Sequence, residues 1–165
     1  MTTPLVVLGD DIPVLRGLTT ATPASEQTQV ARGVVWGVNL AGLTPRAART
    51  RLKASTRDAL RAAKHHTGAS HLTVVFTHDA PHRDEAYWSA AAATASRVHA
   101  RLELARGREW DVVVIDASRC DDASRLHARL REAAASRGGS VGYAALEWHD
   151  VRDQPIHRAA ARHTL

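Results

Sequence analysis

The feature that most constrains the fold of this chain is an alternation. From residue 33 onward, short runs rich in Val, Leu and Thr are separated by long stretches with helical spacing. The runs are GVVWGVNL (33–40), HLTVVFT (71–77), WDVVVID (110–116) and SVGYAALE (140–147). Parallel neighbours in a sheet need a connection long enough to hold a helix, so this spacing predicts a mainly parallel sheet. The unbroken apolar character of VVVI predicts burial on both faces. The expected fold is a three-layer α/β domain of four or five strands, with right-handed crossovers and helices on both faces. PLVVLG (4–9) is a further strand at the start of the chain.

The expected helices span 45 to about 66, about 83 to 106, and Asp121 or Asp122 to about 137. Thr44 is a good N-cap and Pro45 fits the first helical position. Gly68 and Gly107 stand just past the first two helix ends. On the second helix Trp88, Ala91, Ala95, Val98 and Leu102 share the inward face. Residues 17–29 are rich in Thr, Ala and Ser without apolar period, which reads as a mobile loop. Residues 150–165 read as a polar tail with a short helix near Pro155. A length of 165 residues suits one domain, 1–165, with one sizeable core.

No apolar run approaches the ~20 residues of a membrane helix. The segment MTTPLVVLGDD has no basic residue ahead of its apolar run, so it does not read as a signal peptide. The expected location is the cytoplasm. A single cysteine, Cys120, excludes an internal disulfide and a cysteine-based zinc site.

The formal net charge is +5 and the pI about 10.3, values that favour a polyanionic partner. Heavy use of Ala and Arg is also what GC-rich coding produces, so the arrangement of charge weighs more than its sum. That arrangement is ordered on the helix from residue 45. Arg46, Arg49, Lys53, Arg57, Arg61 and Lys64 recur every three or four residues and form one basic stripe. Ala48, Leu52, Ser55, Ala59, Ala62 and Ala63 take the opposite face. Like charges at i,i+4 repel, so a stripe of one sign costs stability and invites an anion. Phosphates about 6–7 Å apart along a nucleic-acid strand match such a row. These six residues are the expected substrate-binding set. A non-enzymatic role uses the same stripe against an acidic partner or a second copy of the chain.

Five of the ten histidines fall in HHTGASHLTVVFTHDAPH, residues 65–82. Strand alternation puts His71, Thr73, Val75 and Thr77 on one face and Leu72, Val74, Phe76 and His78 on the other. His65 and His66 close the preceding helix, while His78 and His82 lie past the strand's far end. One site using all five is therefore not expected. Ligands of parallel sheets bind at the carboxyl ends of the strands. That rule gathers Asn39, Thr77, His78, Asp79, Asp116, Ser118, Glu147, His149 and Asp150, with Asp10 and Asp11 if the first strand is parallel. The catalytic candidates are Asp116, Asp79 and His78. Asp116, Asp79, Glu147 and His149 are the candidate ligands of one or two Mg²⁺ or Mn²⁺ ions, which would activate water against a phosphodiester.

His71–Leu72–Thr73 resembles the His-x-Thr element of the two-histidine phosphoesterases, but that family needs two such elements and the second is missing. LGDD (8–11) and DVVVIDASRCDD (111–122) are loosely similar to blocks of the SGNH esterases. Asp11 stands where their serine nucleophile belongs, and their Gly-x-Asn-Asp element is absent. No GxxxxGK[ST] or GxGxxG occurs. Acids at strand ends with an arginine-rich surface resemble small metal-dependent nucleases of PIN-like or resolvase-like fold, without a diagnostic motif of theirs. The expected function is action on nucleic acid or another phosphate substrate, with metal-dependent phosphodiester hydrolysis as the chemistry if the protein is an enzyme; the alternative is a non-enzymatic binding or assembly module that uses the same basic helix.

Overall fold

The computed structural model describes residues 5–18, 31–79, 85–136 and 141–163. Among these residues five strands form one sheet: β1 (Leu5–Gly9), β2 (Gly33–Asn39), β3 (His71–Thr77), β4 (Asp111–Asp116) and β5 (Tyr143–Glu147). All neighbours are parallel, and the order across the sheet is the order along the chain. The helices are α1 (Pro45–His65), α2 (Glu85–Arg106), α3 (Ala123–Ala135), α4 (Trp148–Arg152) and α5 (Ile156–Ala161). A three-layer α/β fold is thus present, and the first strand is parallel to the rest.

The strands are apolar on both sides, and both sides are covered. α1 and α2 pack with Val34, Leu72, Val74, Phe76 and Val112 on one face. α3, α4 and α5 pack with Val35, Val75, Val113 and Ile115 on the other. This corrects one expectation. The crossovers through α1, α2 and α3 all step the same way across the sheet, and same-direction crossovers over opposite faces have opposite hands. The three cannot all be right-handed. The physical reason lies in the strands: a sequential sheet of a single hand would leave one apolar face in water.

Local signals set the helix ends. Thr44 Oγ1 accepts a hydrogen bond from the Ala47 amide at 3.3 Å and Pro45 opens α1. Gly107 takes a left-handed φ of 61° and its amide donates to Glu103 O at 2.8 Å, closing α2. Gly68 does no such work; α1 ends on His66 at φ −88°, with its amide donating to Ala63 O. Asp122 caps α3 by accepting from the Arg125 amide at 2.9 Å. Ser55 lies on the buried face of α1 because its hydroxyl takes the Trp36 Nε1 proton at 2.8 Å.

Two expectations about the core change. Tyr87, which was not expected, is the more deeply buried aromatic at the start of α2, at 4% exposure, and Trp88 is half-buried against the same core. Residues 150–163 are no loose polar tail: Val151, Ile156, Ala159 and Ala160 are buried against β5 and α3. Val151 on α4 and Ile156, Ala159 and Ala160 on α5 turn onto the sheet and α3 despite the polar residues between them. The loop expected at 17–29 falls outside the described residues from position 19 on, whereas Leu18 is fully buried.

Candidate functional site

Ligands of parallel sheets bind at the carboxyl ends of neighbouring strands whose following helices lie on opposite faces. β3 and β4 are such a pair: α2, which follows β3, packs on one face of the sheet, and α3, which follows β4, packs on the other. Those ends carry His78 and Asp116.

The two side chains meet there. His78 Nε2 lies 2.9 Å from Asp116 Oδ2, with His78 only 7% exposed. An ionised carboxylate only accepts, so Nε2 carries the proton. The imidazole stacks on Tyr87 with 4.7 Å between centroids and 3° between planes. The other oxygen, Asp116 Oδ1, accepts from the Ser118 amide at 2.9 Å and the Ser118 hydroxyl at 2.6 Å. Ser118 Oγ in turn accepts the His78 amide at 2.8 Å. The order is Ser–Asp–His, with the carboxylate in the middle. It fixes the imidazole and leaves the hydroxyl unactivated, because a serine nucleophile needs the base itself within reach.

The other strand-end residues are held elsewhere. Asp79 Oδ2 accepts from the Gly42 amide at 2.8 Å and ties β3 to the loop before α1. Asp10 accepts from the Asn39 amide and from Arg51 Nη2, at 2.8 Å to Oδ1 and 3.0 Å to Oδ2. Asp11 pairs with Arg16 at 3.0 Å, and the guanidinium hydrogen bond lowers its pKa. Glu147 contacts His149 Nδ1 at 3.1 Å and forms a capping box with Asp150. Glu147 and Asp116 are register partners on β5 and β4 and line one small cavity together with Tyr87 and Trp88. No group of three or more His, Cys, Asp or Glu among the described residues is arranged to hold a metal ion. Asp116, Asp79, Glu147 and His149 therefore do not fit a shared Mg²⁺ or Mn²⁺, and no chemical step is drawn through one.

The histidine cluster divides as the strand geometry requires. His65 is exposed and His66 buried at the end of α1. His71 sits at the opposite end of β3, with Nδ1 2.9 Å from Ser70 Oγ and Nε2 3.3 Å from Asp111 Oδ2. His82 lies outside the described residues.

The basic stripe is intact. Arg46, Arg49, Lys53, Arg57, Arg61 and Lys64 are all exposed, while Ala48, Leu52, Ala59 and Ala63 are buried beneath them. Among the described residues only Arg61 of the six forms an ion pair, with Asp58 at 3.3 Å, and that pair is itself exposed. Ala62 is half-buried, and Thr56 and Leu60 complete the packed face. Sequence reasoning missed two cations facing this stripe, Arg97 and Arg101 on α2, across a groove from Lys53 and Arg57. Their four-residue spacing was a signal, but it is too short to stand out without the neighbouring helix. Tyr87 was also missed, since only the fold brings it onto His78. No helix among the described residues is long and apolar enough to cross a membrane. No family model, curated protein or solved structure gives a significant match to this chain.

Proposed function

We propose that the protein binds a phosphate-rich polymer, nucleic acid foremost, through the outer face of α1. The observation that carries this reading is the exposed, single-sign stripe, with one ion pair along its length among the described residues. Surface helices gain from mixed signs, and a row of like charges is supported when an anion occupies it. Neutralising phosphates releases condensed counterions, so the binding is salt-dependent and largely indifferent to sequence.

A second reading rests on a separate observation, the His78–Asp116 pair at the carboxyl ends of β3 and β4. A fixed imidazole beside a carboxylate is suited to moving a proton during hydrolysis of a bound phosphodiester. Here His78 is the acid–base group and Asp116 the residue that positions it.

Labelled DNA and RNA, single- and double-stranded, incubated with the protein in Mn²⁺ or in EDTA and run on native and denaturing gels, test both readings. Shifted, intact strands are the expected result for the binding function. Shortened strands that disappear with Asp116→Asn support the second reading; cleavage retained in that variant removes Asp116 from it. Unshifted and uncut strands under every condition defeat both and leave the stripe to an acidic protein partner or a second copy of the chain.

A further inference from the structure

The groove between α1 and α2 has a basic wall on each side. Lys53 and Arg57 stand on the α1 wall, Arg97 and Arg101 on the α2 wall. All four are exposed, and none belongs to an ion pair among the described residues. The floor offers them no counter-charge. It consists of Leu60 and Val98 with two buried threonines, and the Thr56 hydroxyl is already spent on Leu52 O. On each wall the two cations are one helical turn apart, about 6 Å along the axis. Each helix leads from the carboxyl end of one parallel strand to the start of the next, so the two rows run side by side.

We infer that this groove seats the sugar–phosphate backbone of a duplex nucleic acid, with Arg97 and Arg101 as binding residues opposite the stripe. The inference rests on the polyanion reading of the α1 face. A duplex presents its backbone as a charged ridge between two grooves, and a concave surface with cations on both walls receives a ridge. Guanidinium forks on the α2 wall suit paired hydrogen bonds to phosphate oxygens. Proteins that hold single strands without sequence preference stack bases on aromatic rings. Among the described residues the lining of this groove contains no aromatic side chain. A compact polyphosphate would be satisfied by the four groove cations alone. The stripe continues beyond them to Arg46 and Arg49 on one side and to Arg61 and Lys64 on the other, which extends the interface to the length of a polymer.

The test is fluorescence anisotropy of a labelled duplex, and of one of its strands alone, over a range of NaCl concentrations. The proteins are the wild type, Arg97→Gln with Arg101→Gln, Arg97→Lys with Arg101→Lys, and Arg46→Gln with Arg49→Gln. Glutamine keeps most of the side-chain stem and removes the charge, so packing beside the groove is preserved. Duplex should bind more tightly than single strand. The glutamine pair at 97 and 101 should flatten the plot of log K against log salt by about 1.8, at about 0.9 for each phosphate no longer neutralised, and the lysine pair should restore the slope. An unchanged slope in the 97/101 glutamine pair, with a flatter one in the 46/49 pair, overturns the groove and leaves the α1 reading standing. Tighter binding of the single strand overturns the duplex as occupant. Failure of the wild type to bind either probe defeats the polyanion reading and the groove with it.

Discussion

Gly37 shows how closely β2 approaches the chain leaving β1. A Cβ built there would stand 2.5 Å from the backbone oxygen of Asp10, below any real contact distance. A backbone atom cannot swing aside as a side-chain end can. Gly37→Ala should therefore cost about 1–3 kcal/mol, the range for overpacking, and lower Tm by roughly 2–4 °C per kcal/mol in a domain of this size. A melting temperature equal to wild type would show that the β1 edge yields. Cys120 offers a different check. Burial pushes its thiol up from the ordinary value, and the charges of Asp121 and Asp122 add to the rise against a lowering hydrogen bond at Asp122. The thiolate is the reactive form, and the raised pKa keeps its fraction small at neutral pH. Alkylation should be slow at pH 7 relative to a free thiol and go on accelerating with pH above the roughly 8.5 at which a free thiol's rate levels off. Rapid labelling at neutral pH would contradict the burial.

At the scale of elements, the basic stripe opposes the stability of the helix that carries it. Lys53 lies four residues from Arg49 and four from Arg57, so it takes part in two i,i+4 repulsions of about 0.2–0.5 kcal/mol each. Lys53→Gln should raise thermal stability at low salt by about 0.4–1 kcal/mol, and the gain should vanish at high salt, where screening removes the repulsion. The same substitution should weaken nucleic-acid binding. A drop in Tm at low salt would mean that Lys53 has a stabilising partner. The helices and strands themselves were legible because their signals are local: Thr44–Pro45 at the start of α1, Gly107 at the end of α2, alternation along HLTVVFT. The packed C-terminal helices were less so, since Val151, Ile156, Ala159 and Ala160 are too few and too separated to declare a face until β5 and α3 supply one. The candidate site was legible only in part. The strand-end rule named His78 and Asp116, but not that they touch, because contact depends on strand order. Asp79 and Glu147 obeyed the same rule and were captured by local backbone amides and caps instead.

Over the whole molecule, the positive charge is unevenly compensated. On the face carrying α3, α4 and α5, three arginines meet acids: Arg129 lies 2.9 Å from Glu132, Arg152 3.0 Å from Asp153, and Arg125 3.7 Å from the same aspartate, while Arg131, Arg158 and Arg162 form no ion pair among the described residues. On the face carrying α1 and α2, Arg46, Arg49, Lys53, Arg57, Arg97 and Arg101 have no such partner among the described residues. The contrast lies in pairing and not in the number of acids: α1 and α2 carry Asp58, Glu85 and Glu103, yet among the described residues only Asp58 pairs with a cation of the stripe. The asymmetry also separates a local interface from simple attraction by net charge. Arg125→Gln with Arg152→Gln removes as much charge as Arg49→Gln with Arg57→Gln. If the whole-protein field held the nucleic acid, the two double variants would lose affinity equally. If the α1 face makes the contacts, only the 49/57 pair should flatten the salt dependence, by about 1.8, and the 125/152 pair should bind as wild type does. Surface ion pairs of the 125/152 kind contribute little to stability, so that variant is a folded control of matched charge. Equal weakening in both would reduce the stripe to one share of a diffuse field and withdraw the interface from α1.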